Sequence, residues 1–349
     1  MEKDFDPNGI GQENAGIFGL PFSPSEAQLV LIPAPWGVTV SYGGGTQEGP
    51  RAIYKASPQI DFYHPSYGSD SWKLGIAMLP LHEWDDAYQK GLALRTRAEA
   101  YIEELGRGTP SDMEDALASI NTGCGEFHAR IERTAIDLLN QNKLVGIVGG
   151  DHSTSLGLMR ALAKKHGDFG ILQIDAHCDL RDAYEGFTYS HASIMHNALK
   201  MNGVQKLTQV GIRDYSIGEY ETIATSNGRI HTFFDTDLTQ RQFRGESWHT
   251  IVESIVETLP QNVYVSFDID GLDPALCPHT GTPVPGGLQF HEALYLIRAV
   301  AESGKHMIGF DVNEVSPSHA NEWDANVGMR ILWNIALWAA KSNGLNPLS

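Results

Sequence analysis

Apolar residues in this chain gather into short runs, separated by longer stretches with helix-like periodicity. Leu29-Val-Leu-Ile32 is the first run, others follow at 74–79, 144–148, 169–174, 263–267 and 307–310, and the mixed stretches 206–210 and 230–234 also read as strands. Runs this short, apolar at consecutive positions, predict strands buried on both faces. Between them the spacing predicts helices. One opens at Gly49-Pro50, where proline suits a first turn. The rest fall at 87–105, 113–120, 126–140, 154–166, 190–201, 220–225, 247–258, 290–301 and 329–341, with a break at Gly106-Arg-Gly-Thr-Pro110. Alternating strands and helices imply βαβ units, and so an α/β fold with a mostly parallel central sheet covered on both sides. Residues 1–28 are polar and rich in Gly, Pro and Asn, which predicts an N-terminal arm. No linker, repeat or low-complexity tract divides residues 29–349, which predicts a single domain there.

Composition narrows the function classes. A formal net charge of -18 disfavours nucleic acid as a partner, since phosphate binding needs clustered Lys and Arg. The same field suits a small cationic substrate. No run approaches the length of a membrane span, so no membrane is expected. The acidic start, Met1-Glu-Lys-Asp, lacks the apolar core of a secretory signal, which makes the cytoplasm the expected compartment. Cys124, Cys178 and Cys277 are too few and too scattered for a disulfide framework, so three reduced thiols are expected.

Candidate chemistry sits where the strands end. The 169–174 run leads into Asp175-Ala-His177-Cys-Asp179. Side chains at every second position of a strand share a face, so these three acids and imidazoles can converge. Gly149-Gly-Asp-His152 follows the 144–148 run, and Asp268-Ile-Asp270 follows the 263–267 run. In parallel α/β sheets, ligands bind beyond the carboxyl ends of the strands, where all three clusters lie. His152, Asp175, His177, Asp179, Asp268 and Asp270 make four carboxylates and two imidazoles. That is too much oxygen for a structural zinc site. It suits harder divalent metals such as Mn²⁺, with Ni²⁺ or Co²⁺ reachable through the imidazoles. Six ligands suffice for two metals if two aspartates bridge. Such a pair, roughly 3.5–4 Å apart, makes a nucleophile from water at neutral pH without a Ser or Cys.

Further segments complete a site. His191, twelve residues after Asp179, is placed to shuttle protons to a leaving amine. The loop from Thr280 to Gly287 is suited to walling a pocket, and Glu314 to pairing with a cation. Ser41-Tyr-Gly-Gly-Gly-Thr46 matches neither common phosphate-binding pattern and reads as a pocket-lining loop that uses glycine's backbone freedom.

Taken with these motifs, Ser190-His191-Ala, Ser266-Phe-Asp-Ile-Asp-Gly-Leu-Asp-Pro274, Thr280-Gly-Thr-Pro283 and Asp311-Val-Asn-Glu-Val315 resemble the ureohydrolase family of arginases and agmatinases, over about residues 29–340. The resemblance implies a three-layer α/β/α arginase-like fold in which residues 29–349 form one catalytic domain, and a homo-oligomer, trimeric or hexameric. It implies that Asp175 and Asp268 bridge two divalent metals, with His152 and Asp179 completing one shell and His177 and Asp270 the other. It places His191 at the departing amine, Glu314 on the guanidinium and Thr282 beside it. The products would be urea and an amine or ammonia. The loop Leu180-Arg-Asp-Ala-Tyr-Glu-Gly-Phe-Thr-Tyr189 resembles agmatinase-type sequences more than arginases, which disfavours arginine.

Two features depart from a typical agmatinase: a longer helical region at 86–142, and Trp323 shortly after Glu314. Cys178 and the 184–191 segment resemble the guanidine-hydrolase branch, whose members use nickel. Tyr189 and Trp323 are thus expected to bind substrate with Thr282 and Glu314, and Trp36, Tyr42 and Trp323 to narrow the pocket. Guanidine, a short alkylguanidine and agmatine are the expected substrates, with Ni²⁺ or Mn²⁺ as the cofactor. Formiminoglutamate is a rival that needs a cationic anchor such as Arg181 or Arg213. A non-catalytic regulatory subunit is opposed by the intact ligand set, and a histone-deacetylase-like zinc amidohydrolase by its apparent room for two metals.

Overall fold

The computed structural model describes residues 5–11, 15–108, 113–318 and 320–348. Eight strands form one sheet: β1 Leu29–Ala34, β2 Ile76–Met78, β3 Leu144–Gly149, β4 Phe169–Ile174, β5 Val204–Ile212, β6 Ile230–Phe234, β7 Asn262–Asp268 and β8 His306–Asn313. Every one contains or overlaps a strand read from the sequence. Their order is β2-β1-β3-β8-β7-β4-β5-β6, and every pairing is parallel. The sheet is therefore wholly parallel, where mostly parallel was expected.

Burial on both faces explains the unbroken apolar runs. Leu29 and Leu31 join a core formed with α1 (Gly49–Ala56), α8 (Trp248–Val256), α9 (Phe290–Glu302) and α10 (Trp323–Ser342). Val30 and Ile32 join the opposite core, with α2 (Asp85–Arg107), α3 (Glu114–Asn140), α4 (Leu156–His166) and α5 (Ile194–Leu199). Fully burying each such side chain contributes on the order of 1.5–3 kcal/mol. Cys124, Cys178 and Cys277 are free and buried, as expected of reduced thiols.

Three expectations are corrected. The 113–120 and 126–140 segments are one helix, α3, because Gly123 and Gly125 are contact points rather than breaks. A side chain on Gly123 would collide with Leu94 of α2, and one on Gly125 would crowd Tyr189. A helix, α7 (Asp235–Phe243), follows β6 where none was expected; it buries only Leu238 and so carries no apolar stripe. Part of the expected surface arm is core. Ile17, Phe18 and Leu20 are fully buried, and Phe18 packs edge-on against Trp333 with ring centroids 4.9 Å apart. Positions 109 and 110, within the expected helix break, lie outside the described residues, as do 1–4 and 12–14 of the arm. α6 (Ile217–Ala224) overlaps the expected 220–225 helix, starting three residues earlier and ending one residue sooner. No helix among the described residues is long and apolar enough to cross a membrane.

Candidate metal centre and adjoining cavity

The four central strands, β3, β8, β7 and β4, deliver the acids and imidazoles to one point beyond their carboxyl ends. After β3, Gly150 takes φ +23° and packs against the Trp36 and Ala34 carbonyls, where a side chain would clash. Asp151 then caps the next turn by accepting from the Ser153 N–H, which presents His152. After β7, Asp268 accepts from the Asp270 N–H at 2.8 Å, fixing those two carboxylates relative to each other.

The 175–179 motif differs in one respect from its reading as a strand. β4 stops at Ile174, and Asp179 adopts a left-handed backbone with φ 55°. Beyond the strand the three residues do not share one face. Asp175 and Asp179 face His152, whose Nδ1 is 3.1 Å from Asp175 Oδ2, 3.0 Å from Asp179 Oδ2 and 3.4 Å from Asp268 Oδ2. His177 turns to Asp270, with Nδ1 3.1 Å from Oδ2, and lies 3.6 Å from Asp175 Oδ1. Two clusters result, His152/Asp175/Asp179 and Asp175/His177/Asp270, and Asp175 belongs to both. Asp268 approaches the first.

Proton bookkeeping argues that this is a cation site. His152 Nε2 lies 2.7 Å from Ser266 Oγ, which donates to Asp311 Oδ2 at 2.9 Å. Ser266 and Asp311 face each other in the β7–β8 register. With its Oγ hydrogen given to Asp311, Ser266 accepts from His152 Nε2–H, which leaves Nδ1 with a lone pair. That atom is buried and has no hydrogen-bond partner among the described residues, yet three carboxylate oxygens surround it. Lone pairs facing anions are stable only with a proton or a metal ion between them.

The titration shifts agree. Burial opposes a charged His152, but Asp175, Asp179 and Asp268 outweigh it and hold its pKa well above the ordinary value. Burial likewise opposes charge on His177, and Asp270 and Asp175 carry it up to about 12. Burial, then the Asp175 charge, raises Asp179 to about 7, and burial with the Asp270 and Asp175 charges pushes Asp268 well up. The residues present therefore fit divalent cations, with imidazole nitrogen and carboxylate oxygen as donors.

Asp175 is held from the far side by a polar ladder that the sequence reading missed. Gln173 Nε2 donates to Asp175 Oδ2 at 2.7 Å, Gln209 Nε2 to Gln173 Oε1 at 2.7 Å, and Thr232 Oγ1 to Gln209 Oε1 at 2.8 Å. The three are in register across β4, β5 and β6. The available signal was a glutamine inside each of two predicted strands, 169–174 and 206–210.

A cavity of about 140 Å³ opens beside His177 and Asp179, with His191 and Thr282 on its wall. Thr282 Oγ1 donates to Asp270 Oδ2 at 3.3 Å, and the His191 N–H to Thr39 Oγ1 at 3.2 Å. Burial, then the neighbouring His177 charge, lowers His191 to about 4 and keeps it neutral. Glu314 is buried with φ 62°, and its Oε1 accepts the His152 N–H at 2.8 Å. Its Oε2 lies near Gly281, one residue before Thr282. Burial and the Asp151 charge push its pKa well up.

Arg181, Tyr184, Glu219 and Asp214 also line the cavity, and of these only Arg181 was singled out beforehand. Arg181 stacks on Tyr184 at 4.6 Å and pairs with Glu219 at 3.6 Å.

Other expected contacts lie elsewhere. Tyr189 is packed against His128 of α3, with ring centroids 5.0 Å apart, and is not on the cavity wall. Trp323 is half-exposed at the start of α10, its Nε1 donating to the Ala275 carbonyl at 3.1 Å. Trp36 is buried and stacked on Phe127 at 4.4 Å, a core residue rather than a pocket wall. Tyr42 is 77% exposed, on the rim loop packed over Gly281. Arg213 spends its guanidinium on the carbonyls of Gly211, Asp270, Leu272 and Val284 and has little left for a substrate carboxylate.

Residues 27–338 match the arginase family. An N(1)-aminopropylagmatine ureohydrolase of Thermus thermophilus is 29% identical over 303 residues, 86% of this chain and 87% of its own length. An agmatinase of Neisseria meningitidis is 30% identical over 319 residues, 89% of this chain and 88% of its own. The agmatine ureohydrolase of Thermoplasma volcanium shares the fold, with a TM-score of 0.70 at 24% identity over 98% of this chain and 97% of its own.

Proposed function

We propose that this chain, which belongs to the arginase family and to its agmatinase-like branch, hydrolyses a small guanidino compound at a pair of divalent metals and releases urea. The observation that carries the proposal is the pair of overlapping His/Asp clusters that share Asp175. In this reading His152, Asp175, Asp179 and Asp268 hold one ion. Asp175, His177, Asp268 and Asp270 would hold the other, and Mn²⁺ or Ni²⁺ would suit both. The pair supplies Lewis acidity and lowers the pKa of water bound there towards neutrality.

The chain's own groups do the rest. Glu314 orients the planar guanidinium through charge-assisted hydrogen bonds, which are strong where water is excluded. Its raised pKa makes it responsive, because an arriving cation favours the ionised form. His191 is neutral and can take up a proton, then deliver it to the nitrogen as the C–N bond breaks. Thr282 borders the same space. The products are urea and an amine, or ammonia when guanidine is the substrate. A trimeric or hexameric assembly is part of the proposal.

Cavity size favours short substrates. Pockets for drug-sized ligands run to roughly 300–1,000 Å³, against about 140 Å³ here. Guanidine or a short alkylguanidine therefore suits the space best. Agmatine is the second reading, favoured by Asp214 on the wall, which offers a carboxylate to a distal ammonium. Formiminoglutamate is disfavoured, since Arg213 is committed to carbonyls and Arg181 is paired with Glu219.

Urea release from guanidine, methylguanidine, agmatine, guanidinobutyrate and arginine, each with Mn²⁺ and with Ni²⁺, tests the proposal. Turnover is expected to be greatest with the short guanidines. No urea from any compound with either metal would falsify the enzyme reading, and a preference for arginine would overturn the substrate class.

A further inference from the structure

The long hairpin of α2 and α3 supplies no metal-centre residue, yet two of its polar side chains are directed at the backbone of loops bordering the cavity. We infer that this hairpin is a clamp that holds both loops in place and so sets the size of substrate accepted. The inference rests on the function proposed above.

The first loop runs from 180 to 189 and carries Tyr184 on the cavity wall. Asn121 of α3 bonds it twice, Nδ2 donating to the Gly186 carbonyl at 3.1 Å and Oδ1 accepting from the Thr188 N–H at 2.8 Å. Phe187, between them, is fully buried against Tyr101 of α2, with ring centroids 5.4 Å apart. Ala183 and Glu185 have φ of 47° and 55°, and Gly186 has φ 84°. Left-handed backbone at non-glycine residues costs on the order of 1 kcal/mol each and persists only where the surroundings impose it. A side chain on Gly186 would meet the Tyr101 hydroxyl at 3.0 Å and Leu117 at 3.1 Å, so the hairpin surface dictates this conformation.

The second loop follows Trp36. Arg95 of α2 donates to the carbonyls of Val38 and Val40, on either side of Thr39. Thr39 Oγ1 in turn accepts the His191 N–H. One hairpin thus braces the loop that carries Tyr184 through α3, and the loop that holds His191 through α2. Packing alone, such as Phe127 on Trp36, needs neither Arg95 nor Asn121. Their bonds to loop backbone order the loops, which makes them positioning residues.

Hydrogen exchange on the full-length Asn121→Ala protein, followed in peptides covering 183–189, tests the clamp. Loss of two hydrogen bonds is expected to speed exchange there about 10-fold, with peptides from β4 and β7 unchanged. KM for a short guanidine should rise about 10-fold with kcat within about 3-fold. Longer alkylguanidines should gain relative to short ones, and metal content should stay as in the unmodified protein. Asn121→Asp keeps the acceptor for Thr188 and should fall between the two; it carries the same comparison if Asn121→Ala does not fold. Exchange unchanged at 183–189, or faster throughout the protein alike, overturns the clamp. If no guanidino compound is turned over, the proposed function fails, while the exchange result still decides the clamp.

Discussion

At the level of single residues, the ligand candidates were legible because acids and imidazoles recur where apolar runs end. Spacing alone did not foresee how they divide. The chain leaves β4 at Ile174, and beyond it His177 joins one cluster and Asp179 the other, with Asp175 common to both. Asp175→Asn should therefore lose both metals, and metal analysis showing two ions per chain in that variant would refute the shared role. His191→Ala should keep both ions and lose turnover; an unchanged rate would remove His191 from the chemistry. The supporting residues were hidden because their partners lie on other strands. Gln173 reaches Asp175 only because β4, β5 and β6 align it with Gln209 and Thr232. Removing such outer support of a ligand typically costs 10–100-fold in metal affinity or activity. Gln173→Leu, which keeps the strand apolar, should thus bind metal roughly 10–100-fold more weakly. Equal affinity by titration with Mn²⁺ would show that the ladder does not orient Asp175.

Elements were read best where burial is two-sided. The central strands β1, β3, β4, β7 and β8 announced themselves as apolar runs, because a strand covered on both faces has no wet side, whereas β5 and the edge strand β6 carry Lys206, Thr208, His231 and Thr232 among their apolar positions. Errors came where an element's logic is not apolar periodicity. α7 buries a single side chain, and α3 carries glycines for close helix contact that look like breaks from the sequence alone. Tyr189 and Trp323 were misplaced for a related reason. An aromatic near a motif in sequence can turn its ring away from the site, as Tyr189 does towards α3. Gly186 offers a check at this scale. Gly186→Ala must hold φ 84° and displace Tyr101 or Leu117, so destabilisation by about 1–3 kcal/mol is expected. A melting temperature equal to that of the unmodified protein would show that the loop relaxes freely.

For the molecule as a whole, stability against acid should depend on a group remote from the chemistry. His128 is fully buried in α3, and neither ring nitrogen has a hydrogen-bond partner among the described residues. Burial, with the Arg160 charge as a lesser cause, lowers its pKa from 6.5 to about 3. Above about pH 6.5 the imidazole is neutral in both folded and unfolded chains, so its contribution does not vary. Between about 6.5 and 3 the unfolded chain takes up a proton that the folded chain refuses. Stability therefore falls with pH across that window, by up to about 1.4 kcal/mol per unit from this residue. Below about 3 both states are protonated and the contribution levels off. The metal-centre carboxylates also titrate in acid, so the residue's share has to be read as a difference between two proteins in the same metal buffer. His128→Leu removes the titrating ring and its unpaired N–H, and should flatten the decline between pH 6 and 4. Denaturant unfolding of both proteins at several pH values measures that difference. A constant gap from pH 7 to 4 would mean that His128 is already protonated in the folded chain, or reached by water, and that the acid limit is set at the metal centre instead.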